Sequence, residues 1–139
     1  MAYAQWATFQ INVLTPDTSV IIRDVKLNWG KFYAFNDKDH EIKSKDIEGK
    51  IITDKTPHNQ RIISACGRSD SASGTEGSFL LNYQDETIGK LYWDCPWGSK
   101  TNTCTWEKHS DNFMVELTGI NTDSGALGNI QINIVKLNK

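Results

Sequence analysis

Hydrophobic and polar residues alternate with a period of two over much of the chain. In 6–14, Ala7, Phe9, Ile11 and Val13 share one side while Thr8, Gln10 and Asn12 share the other. Near the carboxyl end Ile130, Ile132 and Ile134 alternate with Gln131 and Asn133, and Phe113, Val115 and Leu117 alternate with Met114 and Glu116. Side chains of a strand point to opposite faces in turn, so this pattern predicts strands with one face buried and one wet. Further strands are predicted at 20–29, 60–66, 77–83 and 87–93. Turn chemistry falls between them: Thr-Pro-Asp at 15–17, Ser-Gly at 73–74, Gln-Asp-Glu at 84–86 and Asp-Ser-Gly at 123–125. About seven to nine short strands with such punctuation predict an all-β fold, a single-domain antiparallel β-sandwich.

One segment breaks the alternation. FNDKDHEIKSKDIEGKIITDK at 35–55 is rich in Asp, Glu and Lys and is predicted to be a long surface excursion, with one helical turn around 43–48. No repeat, low-complexity tract or linker divides the chain.

Charge narrows the partner. Fifteen basic residues stand against seventeen acidic ones, interspersed, for a net charge of −2. Nucleic-acid binding draws most of its affinity from a basic face, and this chain has none to offer. Purely electrostatic attachment to an anionic membrane is disfavoured for the same reason. The partner is expected to be neutral or zwitterionic, or to be recognised by shape and aromatic contacts. No run approaches the roughly 18 apolar residues of a membrane-spanning helix. The amino terminus MAYAQWATFQ lacks a basic segment followed by an apolar one, so no secretory leader is expected and the protein reads as soluble. The three cysteines, Cys66, Cys95 and Cys104, are an odd number and are expected to be reduced thiols; a Cys66–Cys95 bridge would require the fold to bring the two together.

Catalytic and metal chemistry find little support. Asp37, Asp39, Glu41 and Glu48 match a calcium-loop spacing, but Ile42 stands where that loop needs glycine, and Lys38, Lys43 and Lys45 would repel a cation. Cys66, Cys95, Cys104 and His109 lack the close pairing of zinc ligands. His40, His58 and His109 lie in polar loop contexts, and no nucleophile, metalloprotease or phosphate-loop motif occurs. No enzyme, metal or cofactor is expected.

Two stretches remain. In CGRSDSASGTEG at 66–77, three glycines and three serines form a loop in which Arg68 and Asp70 are close enough to pair across a turn. In YWDCPWGSKTN at 92–102, Tyr92 and Trp93 close a strand and point to opposite faces, so at most one of them is core. Trp97 follows Pro96 in a turn, where side chains face water. An exposed indole near a lysine suits the membrane–water interface, or one wall of a cage for a quaternary ammonium. Trp29-Gly30-Lys31, at the end of another strand, repeats the theme.

These blocks resemble the aegerolysin family. The resemblance runs through MAYAQW at 1–6, WGK at 29–31, DKD at 37–39, ACGRSD at 65–70, YWDCPWGSKTNT at 92–103 and TDSGALG at 122–128, in order and over nearly the whole chain. It implies a β-sandwich like that of the actinoporins. It also implies binding to membranes that carry particular sphingolipids, such as sphingomyelin with cholesterol or ceramide phosphoethanolamine. Family members often serve as the targeting half of a two-component pore-forming cytolysin, whose larger partner is of the membrane-attack-complex/perforin type. Carried over by matching motif, the lipid-facing residues would be Trp29, Tyr92, Trp93, Trp97 and Lys100, with Asp70 as a polar neighbour. The chain departs from the pattern at Ser73, where many fungal members carry an acid, and at Cys104, which replaces an aromatic. The first strand, ATFQINVL, is less aliphatic than usual. The competing reading is a carbohydrate-binding module, because exposed aromatics with Asn, Asp and Ser also suit sugar stacking.

Overall fold

The computed structural model describes residues 2–137. It contains eleven strands in two sheets. The first six strands are β1 (Trp6–Val13), β2 (Ser19–Trp29), β3 (Lys31–Ala34), β4 (Asp37–Ile42), β5 (Ile51–Thr53) and β6 (Ile62–Cys66). They are followed by β7 (Thr75–Tyr83), β8 (Glu86–Cys95), β9 (Thr103–Lys108), β10 (Phe113–Thr118) and β11 (Gly128–Lys136). A single helical turn, α1 (Ser44–Ile47), joins β4 to β5. One sheet has the order β10-β11-β1-β6-β3-β4 and the other β5-β2-β7-β8-β9.

The alternation seen in the sequence is what packs the sheets together. Ala7, Phe9 and Ile11 of β1 and Ile130, Ile132 and Ile134 of β11 are fully buried, and they meet Ile22, Phe79, Leu81 and Leu91 from the opposite sheet. Trp93 sits in the middle of this layer. Its ring centre lies 5.0 Å from that of Phe9, 6.0 Å from Phe32 and 6.2 Å from Phe79, and its indole N–H donates to Thr75 Oγ1 at 3.1 Å. The buried indole thus has its one polar atom satisfied.

On the outer face of the first sheet the polar positions form an amide ladder. Asn12 Nδ2 donates to Gln131 Oε1 and to Asn133 Oδ1, both at 2.9 Å, and Gln10 Nε2 donates to Asn12 Oδ1 at 2.9 Å. Such a ladder matches a parallel register, and β1 and β11 do pair in parallel, Asn12 opposite Asn133. Every other strand pair is antiparallel. The sandwich prediction holds, with this one departure in direction. Alternation reports which face is buried and carries no information on strand polarity.

The segment 35–55 is not the irregular excursion that the sequence predicts. It forms edge strand β4, the helical turn α1 and edge strand β5, so only the turn was anticipated. Edge strands favour charged residues, which is why β4 carries DKDHEI without an alternating apolar face. Two acids of the segment hold distant parts of the chain. Glu41 binds Arg68, and Glu48 Oε1 and Oε2 accept the amides of Val25 and Asp24 at 2.9 and 3.0 Å. Those amides lie at a bulge in β2, where Asp24 has φ 52°. Strand β9 is also absent from the predicted set. Arg68 turns toward Glu41 in a bidentate pair at 2.8 and 3.0 Å, in place of the Asp70 pairing suggested by their spacing. Cys66, Cys95 and Cys104 are free thiols.

Candidate functional site

Three chain segments meet at one end of the sandwich: the end of β2 at Trp29, the loop 67–74, and the turn that follows β8. Two glycines let them meet. A Cβ on Gly74 would stand 1.9 Å from the Cys95 carbonyl oxygen. At Gly30, where φ is +89°, a Cβ would stand 2.4 Å from the Cys66 carbonyl oxygen. Close backbone approach and a left-handed conformation both call for glycine.

Between these segments lies a recess of about 210 Å³, lined by Trp29, Ala72, Ser73, Gly74, Thr75, Asp94, Pro96, Trp97 and Lys100. Trp29 is 59% exposed and Trp97 42%, high values for indoles and the reverse of the fully buried Trp93. Large exposed aromatics grouped at one spot mark a binding surface more than a packing accident.

The recess carries opposite charges at its edges. Burial, together with the nearby Glu76 carboxylate, raises the carboxyl of Asp94 above its usual range, and the Lys100 ammonium pulls it back. Next to it on the same outer face, the Tyr92 hydroxyl donates to Glu76 Oε2, and Asn28 Nδ2 donates to Glu76 Oε1 at 3.3 Å. Burial and then that hydrogen bond hold the Tyr92 phenol well above its ordinary value, so it remains a neutral donor. A carboxylate beside two indoles can hold an ammonium group, and a lysine a few residues away can hold a phosphate. The arrangement is complementary to a zwitterion.

The residues named from sequence divide clearly. Trp29, Trp97 and Lys100 come together around the recess. Tyr92 faces outward beside it but does not line it. Asp70 is exposed in the same loop, away from the lining. Trp93 is a correction: as a core residue with no exposed surface it presents nothing to a lipid. Strand pleating put Tyr92 and Trp93 on opposite faces, and here Trp93 took the inner one. Sequence reasoning missed Asp94 and Glu76. The signal for Asp94 was available, because it follows the inward Trp93 and shares the outward face of Tyr92. Glu76 becomes visible only through its register opposite Asp94 in β7–β8. Ser73, noted as a departure from the family pattern, does line the recess.

No helix among the described residues is long and apolar enough to cross a membrane. The aegerolysin family model matches residues 4–137. The chain is similar to ostreolysin A6 of Pleurotus ostreatus, 46% identical with 98% of each chain covered. It is also similar to Asp-hemolysin of Aspergillus fumigatus, 40% identical over 96% of this chain and 94% of that one. Among solved structures, the RahU protein in complex with a TRIS molecule superposes with a TM-score of 0.91 at 30% identity, over 99% of both chains. With its sequence matched over nearly its whole length and its fold shared, the chain belongs to the aegerolysin family of lipid-binding, hemolysin-like proteins.

Proposed function

We propose that this protein binds sphingolipid-containing membranes through the Trp29–Trp97 recess and acts as the lipid-targeting component of a two-component pore-forming cytolysin. The observation that carries the reading is the recess itself, with two exposed indoles, Asp94 on one side and Lys100 on another. A choline or ethanolamine ammonium would lie against the indoles and the Asp94 carboxylate, and the lipid phosphate against Lys100. Trp97, on its surface turn, would enter the headgroup layer, where an amphipathic ring is at home. Sphingomyelin with cholesterol and ceramide phosphoethanolamine, the lipids that the family resemblance implies, both present such a headgroup.

The pore itself is assigned to a larger, perforin-like partner. The chain folds as a sandwich from its first strand onward, and no long amphipathic helix is present among the described residues to insert by itself. The family's hemolysin-named members support the cytolytic half of the reading.

The test is sedimentation with vesicles that vary in sphingolipid headgroup and sterol, followed by dye release with and without a perforin-like protein. Binding is expected only with a suitable sphingolipid, and dye release only with the partner. Equal binding to plain phosphatidylcholine overturns the lipid assignment. Release by the pure protein overturns the division of labour. Trp97→Ala is expected to weaken binding about tenfold or more while the melting transition is kept, since this ring lies outside the core.

A further inference from the structure

A second cavity lies on the outer face of the first sheet. It has a volume of about 600 Å³ and shares no lining residue with the recess. Trp6 at the start of β1, Tyr3 just before it, Asn129 of β11, and Asn36, Asp37 and Asp39 of the β3–β4 hairpin contribute to its wall. We propose that it is a binding site for a neutral saccharide.

The wall is held in place by the fold's own hydrogen bonds. The Tyr3 hydroxyl donates to Asp39 Oδ1 at 2.9 Å and accepts from Lys31 Nζ at 2.6 Å. Lys38 Nζ donates to the Tyr3 carbonyl at 2.9 Å and stands 5.4 Å from the centre of the Trp6 ring. Thr8 Oγ1 donates to Asn129 Oδ1 at 2.6 Å. Asp37 Oδ1 accepts the Asp39 amide at 3.1 Å. Among the described residues these bonds use one oxygen of each carboxylate and the oxygen of the Asn129 amide. Among the described residues the second carboxylate oxygens, the Asn129 N–H₂ and the Asn36 side chain have no hydrogen-bond partner, which leaves them for a ligand. Preorganised groups cost little entropy when a ligand arrives.

Other ligand classes fit poorly. Asp37 and Asp39 would repel a lone phosphate or carboxylate, and Lys31 and Lys38 a lone ammonium; a zwitterion would find both lysines already bound to Tyr3, with no free cation to meet its phosphate. The wall is too polar for an acyl chain. A pyranose suits it: the C–H face of the sugar packs on the faces of the partly buried Trp6 and Tyr3 rings that Lys38 and Lys31 do not cover, and its hydroxyls donate to carboxylates and exchange hydrogen bonds with amides. A volume of about 600 Å³ falls in the usual range of ligand clefts, roughly 300–1,000 Å³, so the end of an oligosaccharide can enter.

Its position suggests where the sugar comes from. Trp6 pairs with Cys66, whose carbonyl packs against Gly30 beside Trp29. The cavity therefore opens next to the end of the molecule that carries the recess, and a sugar on a membrane lipid lies within reach of it. A free glycan presents the same chemistry.

The test is a neutral-oligosaccharide array probed with the full chain, followed by saturation-transfer NMR on the sugars that bind. Binding is expected. Asp39→Ala and Trp6→Leu are each expected to weaken it about tenfold, the size of a lost charged hydrogen bond or stacking contact. Should Trp6→Leu fail to melt cooperatively, Asp37→Ala on the exposed hairpin serves in its place. Trp97→Ala is expected to leave sugar binding unchanged, which separates this site from the recess. Phosphatidylcholine vesicles that carry a neutral glycolipid with the same sugar distinguish the sources. Binding to those vesicles tighter than to the free sugar points to the lipid-linked form, and binding to the free sugar alone to the glycan. Absence of binding to every array sugar, or binding indifferent to the Asp39, Asp37 and Trp6 substitutions, overturns the proposal.

Discussion

Gly74 has no space for a side chain: a methyl group would fall 1.9 Å from the Cys95 carbonyl oxygen. Gly74→Ala is expected to push the loop 67–74 off the end of β8 and to cost about 1–3 kcal/mol in denaturant unfolding. Vesicle binding should weaken with it, because the recess shares that wall. Asp94 makes the opposite kind of prediction. Its carboxyl is raised on folding, by burial first and by Glu76 second. A group raised in this way supports the fold below its unfolded pKa and ceases to do so as pH rises, so at neutral pH the ionised Asp94 weighs against the native state. Asp94→Asn is therefore expected to raise the unfolding midpoint and to lower affinity for a zwitterionic headgroup. Wild-type vesicle binding should fall as acid protonates Asp94, starting above the ordinary carboxylate range, and Asp94→Asn should flatten that part of the profile. A variant that is stabler but binds as well would remove Asp94 from the site. At this scale the sequence was partly legible: Trp29, Trp97 and Lys100 were found from their turn contexts. Asp94 was not, because an acid between a tryptophan and a cysteine looks unremarkable until the pleat is known.

Among the elements, the loop 67–74 depends on an edge strand that the hydrophobic pattern did not disclose. The Gly67 amide donates to the Gln5 carbonyl at 3.0 Å, and Arg68 grips Glu41 of β4 with its two terminal guanidinium nitrogens. The pair is partly exposed, so its loss should cost stability no more than about 1 kcal/mol. Arg68→Ala is expected to melt nearly as the wild type does while losing vesicle affinity, because the loop that walls the recess is released. Equal affinity would show that the loop is held by its backbone alone. Strand β4 escaped prediction for a physical reason. An edge strand with charged residues on both faces satisfies its own solvation and repels other strands, and in doing so erases the period-two signal. The turn α1 was legible as a helical turn, but its use was not. It ends by delivering Glu48 to the bulge of β2, twenty-four positions away in the chain from the Asp24 amide that it caps.

The molecule as a whole keeps Cys66, Cys95 and Tyr33 out of water and half-buries Cys104. Burial pushes Cys95 from 9.0 to about 11, Cys104 to about 12, and Tyr33 from 10.0 to about 12. In the unfolded chain these protons leave first, so stability is intact below about pH 9 and is lost as pH rises toward the folded values. The denaturant midpoint should stay level from neutral pH to about 8.5 and then drop by roughly 2 kcal/mol or more in unfolding free energy by about pH 10.5. Thiol-directed reagents should modify the native protein slowly and the denatured chain fully. A midpoint unchanged across that range would show that these groups are solvated in the native state. The sequence by itself determined the two-faced strands, the sandwich and the residue types crowded near one turn, because burial of one strand face writes its period directly into the chain. Only the tertiary structure decided that β1 and β11 run parallel and that Trp93, not Tyr92, belongs to the core. It alone also placed Asp94 and Glu76 beside Trp29 and Trp97. Those outcomes depend on register and on which strand ends meet in space, and neither is encoded in the local pattern of any one segment.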